Sequence, residues 1–136
     1  EQVGDKFELY TPDKLMVYAD YDRLVQIIFN ITQNAIQFTE NGVISISAEK
    51  GNEETIIRIS DNGIGMNEEQ LRNIWERYYK ADPSRKNTKY GESGLGLSIV
   101  HQLMQLHQGS VTVESKEGKG TTFTLRFPNK NKLSKI

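Results

Sequence analysis

A two-layer α/β sandwich, in which three helices cover one face of a mixed sheet, is predicted by three observations. Apolar residues recur at three- and four-residue steps in three separate stretches. Runs rich in Val, Ile and Thr, bounded by glycine, asparagine or aspartate, lie between and after them. The chain has 136 residues, close to one domain of ~150, so both layers must share a single core.

Each element follows from local chemistry. Residues 6–19 alternate loosely around Pro12 and read as two short strands joined by a turn at Thr11-Pro12-Asp13. The first helix is capped by Asp20 or Asp22 and carried to about Thr39 by the apolar stripe Leu24, Ile27, Ile28, Ile31, Ala35 and Phe38. Asn41-Gly42 signals a turn, after which Val43 to Ala48 and Thr55 to Ser60 form a hairpin through the polar segment 50–54. Asp61-Asn62-Gly63-Ile64-Gly65 breaks the second strand, and Asn67 caps a short helix with Leu71, Ile74, Trp75 and Tyr78 as its apolar positions. From Lys80 to about Ser93 there is no apolar period, and Pro83, Gly91 and the cations Lys80, Arg85, Lys86 and Lys89 mark a functional or mobile loop. Leu95 to Gln108 is helical, with Ile99, Val100, Leu103, Met104 and Leu106 inside and Gly109 as its stop. Val111 to Glu114 and Thr121 to Phe127 alternate around Glu117-Gly118-Lys119-Gly120 as a final hairpin. Residues 1–128 are assigned to the domain and the polar, cationic residues 129–136 to a flexible tail.

Composition excludes several function classes. Seventeen Lys plus Arg against eighteen Asp plus Glu leave a net charge of -1, which supplies no global field for nucleic acid or anionic lipid, so any anion must be captured locally. The absence of cysteine removes disulfides, thiolate metal sites and cysteine nucleophiles together. No run approaches the ~20 apolar residues of a membrane span, and the opening Glu1-Gln2-Val3-Gly4-Asp5 lacks the order of a signal peptide. That opening, without Met, is the expectation for a domain inside a longer parent protein.

Three groups of residues can do chemistry. Asn30 and Asn34 lie four apart and share one face of the first helix, where an amide oxygen can join phosphates around a hard cation; both also read as solvated or capping amides. Asp61 ends a strand ahead of Gly63 and Gly65, so its carboxylate can accept from an exocyclic amine beside a flat ring, or simply close an Asp-Asn-Gly turn. Gly91, Gly94 and Gly96 sit at the mouth of a helix, where unpaired amides attract phosphate. Their spacing is neither Gly-x-Gly-x-x-Gly nor a P-loop, so the usual dinucleotide and P-loop folds lose their main support. His101 and His107 have no carboxylate partner at metal spacing and read as structural or solvated, and no Ser/His/Asp constellation is suggested.

Taken in order, these pieces resemble the catalytic ATP-binding domain of bacterial two-component sensor histidine kinases, within the superfamily that includes gyrase and the mismatch-repair ATPases. The segment from Gln26 to Thr39 resembles the N box, Asp61-Asn62-Gly63-Ile64-Gly65-Met66 the first glycine box, and Ile74 to Lys80 the F box. The run Gly91-Glu92-Ser93-Gly94-Leu95-Gly96-Leu97-Ser98 resembles the second glycine box, and Gly118 to Phe123 the last. Any one is weak; five in sequence are specific, and they span nearly the whole chain.

The resemblance implies the histidine kinase/gyrase-type ATPase fold, with ATP and Mg²⁺ as cofactors. Asn34 would coordinate Mg²⁺, Asn30 would assist at the phosphate end, and Asp61 would accept the adenine amine while Gly63 and Gly65 give the base room. Gly94 and Gly96 would free amides to cradle phosphate, and Tyr79 or Lys80 would reach phosphate from a lid spanning about 66–93. Gln37, Met66, Gly91, Ser93, Leu95, Leu97 and Thr122 complete the expected ATP-binding set. Gln37 replaces a common Lys or Arg, Lys80 a commoner Arg, and Glu92 a frequent Gly, and each change weakens phosphate contact. Hydrolytic relatives carry Glu where Asn30 stands, and an amide cannot take a proton from water, so ATP should be held rather than quickly hydrolysed.

The implied activity is transfer of the γ-phosphoryl group to a histidine on a separate helical dimerisation domain, from which a response regulator's receiver domain would take it. The isolated domain would be monomeric and cytoplasmic, its parent a homodimer in the bacterial membrane, without nucleic-acid partners. Two rival readings are a serine kinase of a regulatory partner and a nucleotide-binding interaction module without transfer activity.

Overall fold

A computed structural model of the chain describes residues 6–10, 20–39, 42–76 and 96–129. In order the elements are β1 (Lys6–Tyr10), α1 (Tyr21–Gln37), β2 (Val43–Lys50), β3 (Glu54–Asp61), α2 (Glu68–Asn73), α3 (Gly96–Leu106), β4 (Ser110–Lys116) and β5 (Gly120–Pro128). Among the described residues the strands form one sheet in the order β1-β2-β3-β5-β4. β1 lies parallel to β2, and every other pairing is antiparallel, so the sheet is mixed. The expected turn at Thr11-Pro12-Asp13 and the second short strand beyond it lie outside the described residues.

Strand alternation builds the two faces. The register sets Ile46 opposite Ile59, Ile59 opposite Phe123, and Phe123 opposite Val113, so one row of apolar side chains runs across four strands. Ile57, Leu125 and Phe127 extend that face, and Ile27, Ile31, Ala35, Val100 and Met104 of the helices pack onto it as one core. Ile27, Ile31, Leu125 and Phe127 are fully buried, and burial of each such side chain contributes about 1.5–3 kcal/mol. The other face carries Arg58 and Arg126, paired with Glu49 at 3.4 Å and Glu54 at 3.2 Å. These half-exposed ion pairs contribute about 0–1 kcal/mol each, as expected of a solvated surface.

The helix ends show where local rules were sufficient. Asp20, not Asp22, caps α1: its Oδ2 accepts the Arg23 N–H at 3.1 Å, and the helix stops at Gln37. Asn67 and Gln70 form a reciprocal capping box at α2. α2 closes at Asn73, and beyond it the partly buried Trp75 packs against the core, 5.5 Å from the His101 ring and edge-on at 6.0 Å from Phe123.

α3 departs from expectation twice. Leu106 is 64% exposed, because two residues past Met104 is about 200° around a helix of ~3.6 residues per turn. The left-handed residue that ends α3 is Gln108, at φ 59, rather than Gly109. Gln108 N–H bonds Gln105 O at 3.0 Å and Gly109 N–H bonds Met104 O at 3.0 Å, a Schellman pattern with glutamine where glycine is usual. Glycine is needed one position later, where a side chain would collide with the carbonyl of Arg126.

His107 ties the ends of α1 and α3 together. Its Nδ1 faces Leu103 O at 2.8 Å and must donate there, so Nε2 accepts the Asp20 N–H at 3.1 Å. Both histidines are therefore structural, His101 through Trp75 and His107 through these bonds. Past β5, Asn129 bonds Glu53 O, Gly51 O and the Thr55 hydroxyl, so β5 is continued by side-chain and backbone bonds to the β2–β3 turn.

Candidate functional site

Two regions that the sequence singled out meet α1, one at its C-terminal end and one near its middle. At its C-terminal end lies loop 61–66, which leaves the last residue of β3. Asp61 Oδ1 accepts the Gly63 N–H at 2.9 Å, so the carboxylate does close the local turn while standing at the strand end. Asn62 is pinned to β2 twice: its N–H reaches Val43 O at 3.3 Å, and its Oδ1 accepts the Val43 N–H at 2.9 Å. Ile64 N–H donates to Phe38 O at 3.0 Å, docking the loop on the end of α1, and Gly118 N–H of the β4–β5 turn donates to Ile64 O at 2.7 Å.

The glycines of this loop serve the protein's own backbone. A side chain at Gly63 would collide with the carbonyl of Phe38, and one at Gly65, at φ 72, with the carbonyl of Lys116. Both glycines are required by close packing of the loop against α1 and the β4–β5 hairpin. Met66, expected among the ligand contacts, is 2% exposed with its side chain in the core.

Near the middle of α1 is the second region. Asn30 Nδ2 donates to Gly96 O, the first carbonyl of α3, at 3.4 Å, a long and weak bond. The N box and the second glycine box therefore meet in space although 66 residues separate them. Asn34, one turn further along, makes no side-chain hydrogen bond among the described residues. Gln37 is the last residue of α1 and is half-buried, and Leu97 packs against the core from the first turn of α3. Tyr79, Lys80, Gly91, Ser93, Gly94 and Leu95 lie outside the described residues.

One expected contact belongs to the other face of the sheet. Thr122 pairs with Ser60, and the two hydroxyls lie 2.9 Å apart. Asp61 pairs with Thr121, so Thr121, 5% exposed, is the hydroxyl on the side of the carboxylate. Counting back by two from the core residue Phe123 gives Thr121, and that period-two signal was available in the sequence. Ser115 was missed altogether: it joins this row opposite Thr121 and accepts the Met66 N–H at 2.8 Å.

Among the described residues no cluster of three His, Cys, Asp or Glu can hold a metal. The arrangement offers a carboxylate acceptor at one end and, along α1, two neutral amides beside a helix N-terminus at the other. Such a site suits a ligand with a hydrogen-bond-donating ring and an anionic tail.

The family profile described as histidine kinase-, DNA gyrase B- and HSP90-like ATPase matches residues 19–131. The chain belongs to that ATPase family, as a catalytic domain of its sensor histidine kinase branch. It is 55% identical over 128 residues to the sensor histidine kinase YclK of Bacillus subtilis (strain 168), covering 94% of this chain and 27% of that protein. It is 37% identical over 123 residues to the sensor histidine kinase WalK of the same organism, covering 88% of this chain and 20% of that one. The nucleotide-free catalytic domain of histidine kinase ThkA superposes with a TM-score of 0.79 at 28% identity, over 94% of this chain and 81% of that one. Full-length ShkA in complex with AMPPNP superposes at 0.77 and 26% identity, over 93% and 26%. The chain thus spans about a quarter of the first relative's length. No described helix is long and apolar enough to cross a membrane.

Proposed function

We propose that this domain binds Mg-ATP and presents its γ-phosphoryl group to a histidine on a helical dimerisation domain of a longer parent protein, a response regulator's aspartate then taking the group. The observation that carries the reading is the path of α1: it touches the α3 N-terminus at Asn30 and loop 61–66 at Phe38. Eight residues of helix, about 12 Å, separate the two contacts, with Asn34 midway. A purine amine donating to Asp61 would leave its phosphates running past Asn34 toward the amides of α3.

The residues suit Mg²⁺ without caging it. An ion that keeps several waters and takes its remaining oxygens from phosphates needs one or two protein donors, and the Asn34 amide supplies one. Bound ATP and its metal supply the transferable phosphoryl group and its charge neutralisation; the protein's own part is positioning and hydrogen bonding. Asn30 cannot deprotonate water, and its amide nitrogen is turned to Gly96 O, which supports retention of ATP over hydrolysis. Lys80 and Tyr79 would add lid contacts. The parent, by this reading a membrane-anchored homodimer, supplies the phosphoacceptor, since both histidines of this chain hold the fold together.

Thermal-shift titration tests the binding step: Mg-ATP and ADP should stabilise the chain more than GTP. Asp61→Asn should weaken ATP about 10- to 100-fold, the worth of a hydrogen bond to a charged group, while leaving the melting curve cooperative. Mixing the chain with a helical phosphoacceptor domain and γ-labelled ATP should give an acid-labile label on histidine. Binding without label would leave a nucleotide-binding module, and a label on serine the serine-kinase reading.

A further inference from the structure

Purine recognition by Asp61 requires loop 61–66 to hold one shape, and its last residue is anchored neither by α1 nor by β2. Met66 N–H is held instead by Ser115 of β4, at 2.8 Å. The Ser115 hydroxyl donates to Gly120 O at 2.8 Å, and its oxygen lies 2.9 Å from the Thr121 hydroxyl. A serine hydroxyl has one proton, which goes to Gly120, so Thr121 must donate to Ser115. One oxygen therefore accepts twice and donates once, which exhausts its hydrogen-bonding capacity and joins loop 61–66 to both ends of the β4–β5 turn.

The position of this oxygen matters more than its strength. Register sets Ser115 opposite Thr121, and Thr121 opposite Asp61, in one row across the end of the sheet. Gly118 N–H, three residues from the sheet row, reaches the same loop at Ile64 O. Gly65 between these two anchors fits only because it has no side chain against Lys116. The hairpin thus forms a template against which the loop is laid.

We infer that Ser115 is a positioning residue for purine recognition: through Met66 and Thr121 it holds the Asp61 loop in its binding shape before nucleotide arrives. Ser115 touches no ligand in this scheme. The inference rests on the proposed contact between Asp61 and the purine amine, and the test separates the two.

Affinity for Mg-ATP is measured by calorimetry in the native chain, Asp61→Asn, Ser115→Ala and the double variant. Ser115→Ala should weaken ATP about 5- to 10-fold in the native background and less than about 2-fold in Asp61→Asn, because coupled residues are non-additive. Equal losses in both backgrounds, or no loss in the native one, overturn the positioning role. No loss in Asp61→Asn alone overturns the purine contact itself. Should Ser115→Ala not fold, amide exchange in the native chain decides: without nucleotide, Met66 N–H should exchange about 100-fold or more slower than an open amide. Exchange at the open rate overturns the inference.

Discussion

Loop 61–66 and the α1–α3 junction bound the proposed site, yet among the described residues the first is tied down by more hydrogen bonds than the second. The loop's N–H groups at Asn62, Gly63, Ile64 and Met66 all have partners at 2.8–3.3 Å, drawn from β2, Asp61, α1 and β4. Among the described residues the junction is bridged by one side-chain bond, Asn30 to Gly96 O, at 3.4 Å. A rigid ring is recognised by fixed geometry, whereas a phosphate chain with its metal must be gripped and released, so stiffness is concentrated where the base would sit.

Three substitutions break or sharpen that contrast. Gly65→Ala should be the most damaging, at about 3 kcal/mol, since it adds a left-handed penalty of about 1–2 kcal/mol to a collision with the Lys116 carbonyl. Thermal unfolding should show a midpoint lower by roughly 10 °C. A native-like midpoint would mean the loop can shift freely, and the contrast would dissolve. Asn34→Ala should come next, lowering Mg-ATP affinity about tenfold while leaving adenosine affinity unchanged, because only the metal and phosphate end is touched. Calorimetry with both ligands separates the ends directly. Asn30→Ala should be smallest, at about 0.5 kcal/mol of unfolding free energy by denaturant titration, as its one bond is long. A cost matching Gly65→Ala would show the junction to be as firmly built as the loop.

The difference also separates what was legible in the sequence from what was not. Asp61, Asn30, Asn34 and Gly96 were each legible because a strand end, a four-residue helical spacing and a glycine at a helix mouth are local signals. Thr121 was passed over for Thr122, although alternation from Phe123 would have chosen it. Ser115 carried no signal of its own: serine in a strand is ordinary until its partner across the sheet and the loop beyond it are known. The glycines were picked out by local pattern, but the packing that requires them was not legible, since the atoms that exclude a side chain at Gly63 and Gly65 belong to Phe38 and Lys116, far along the chain.

Periodicity, turn chemistry and composition by themselves determined the helix-covered mixed sheet, the cap at Asn67 and the absence of thiol chemistry, and the resemblance of five boxes in order pointed to the ATPase family. Those features depend on residues within a few positions of one another, where 3.6- and two-residue repeats and side-chain capping act. Only the tertiary structure decided that Asn30 meets Gly96 and that one serine hydroxyl holds the loop. Each of these depends on strand register and on helix docking, which arise from packing between distant segments and leave no mark in the local pattern.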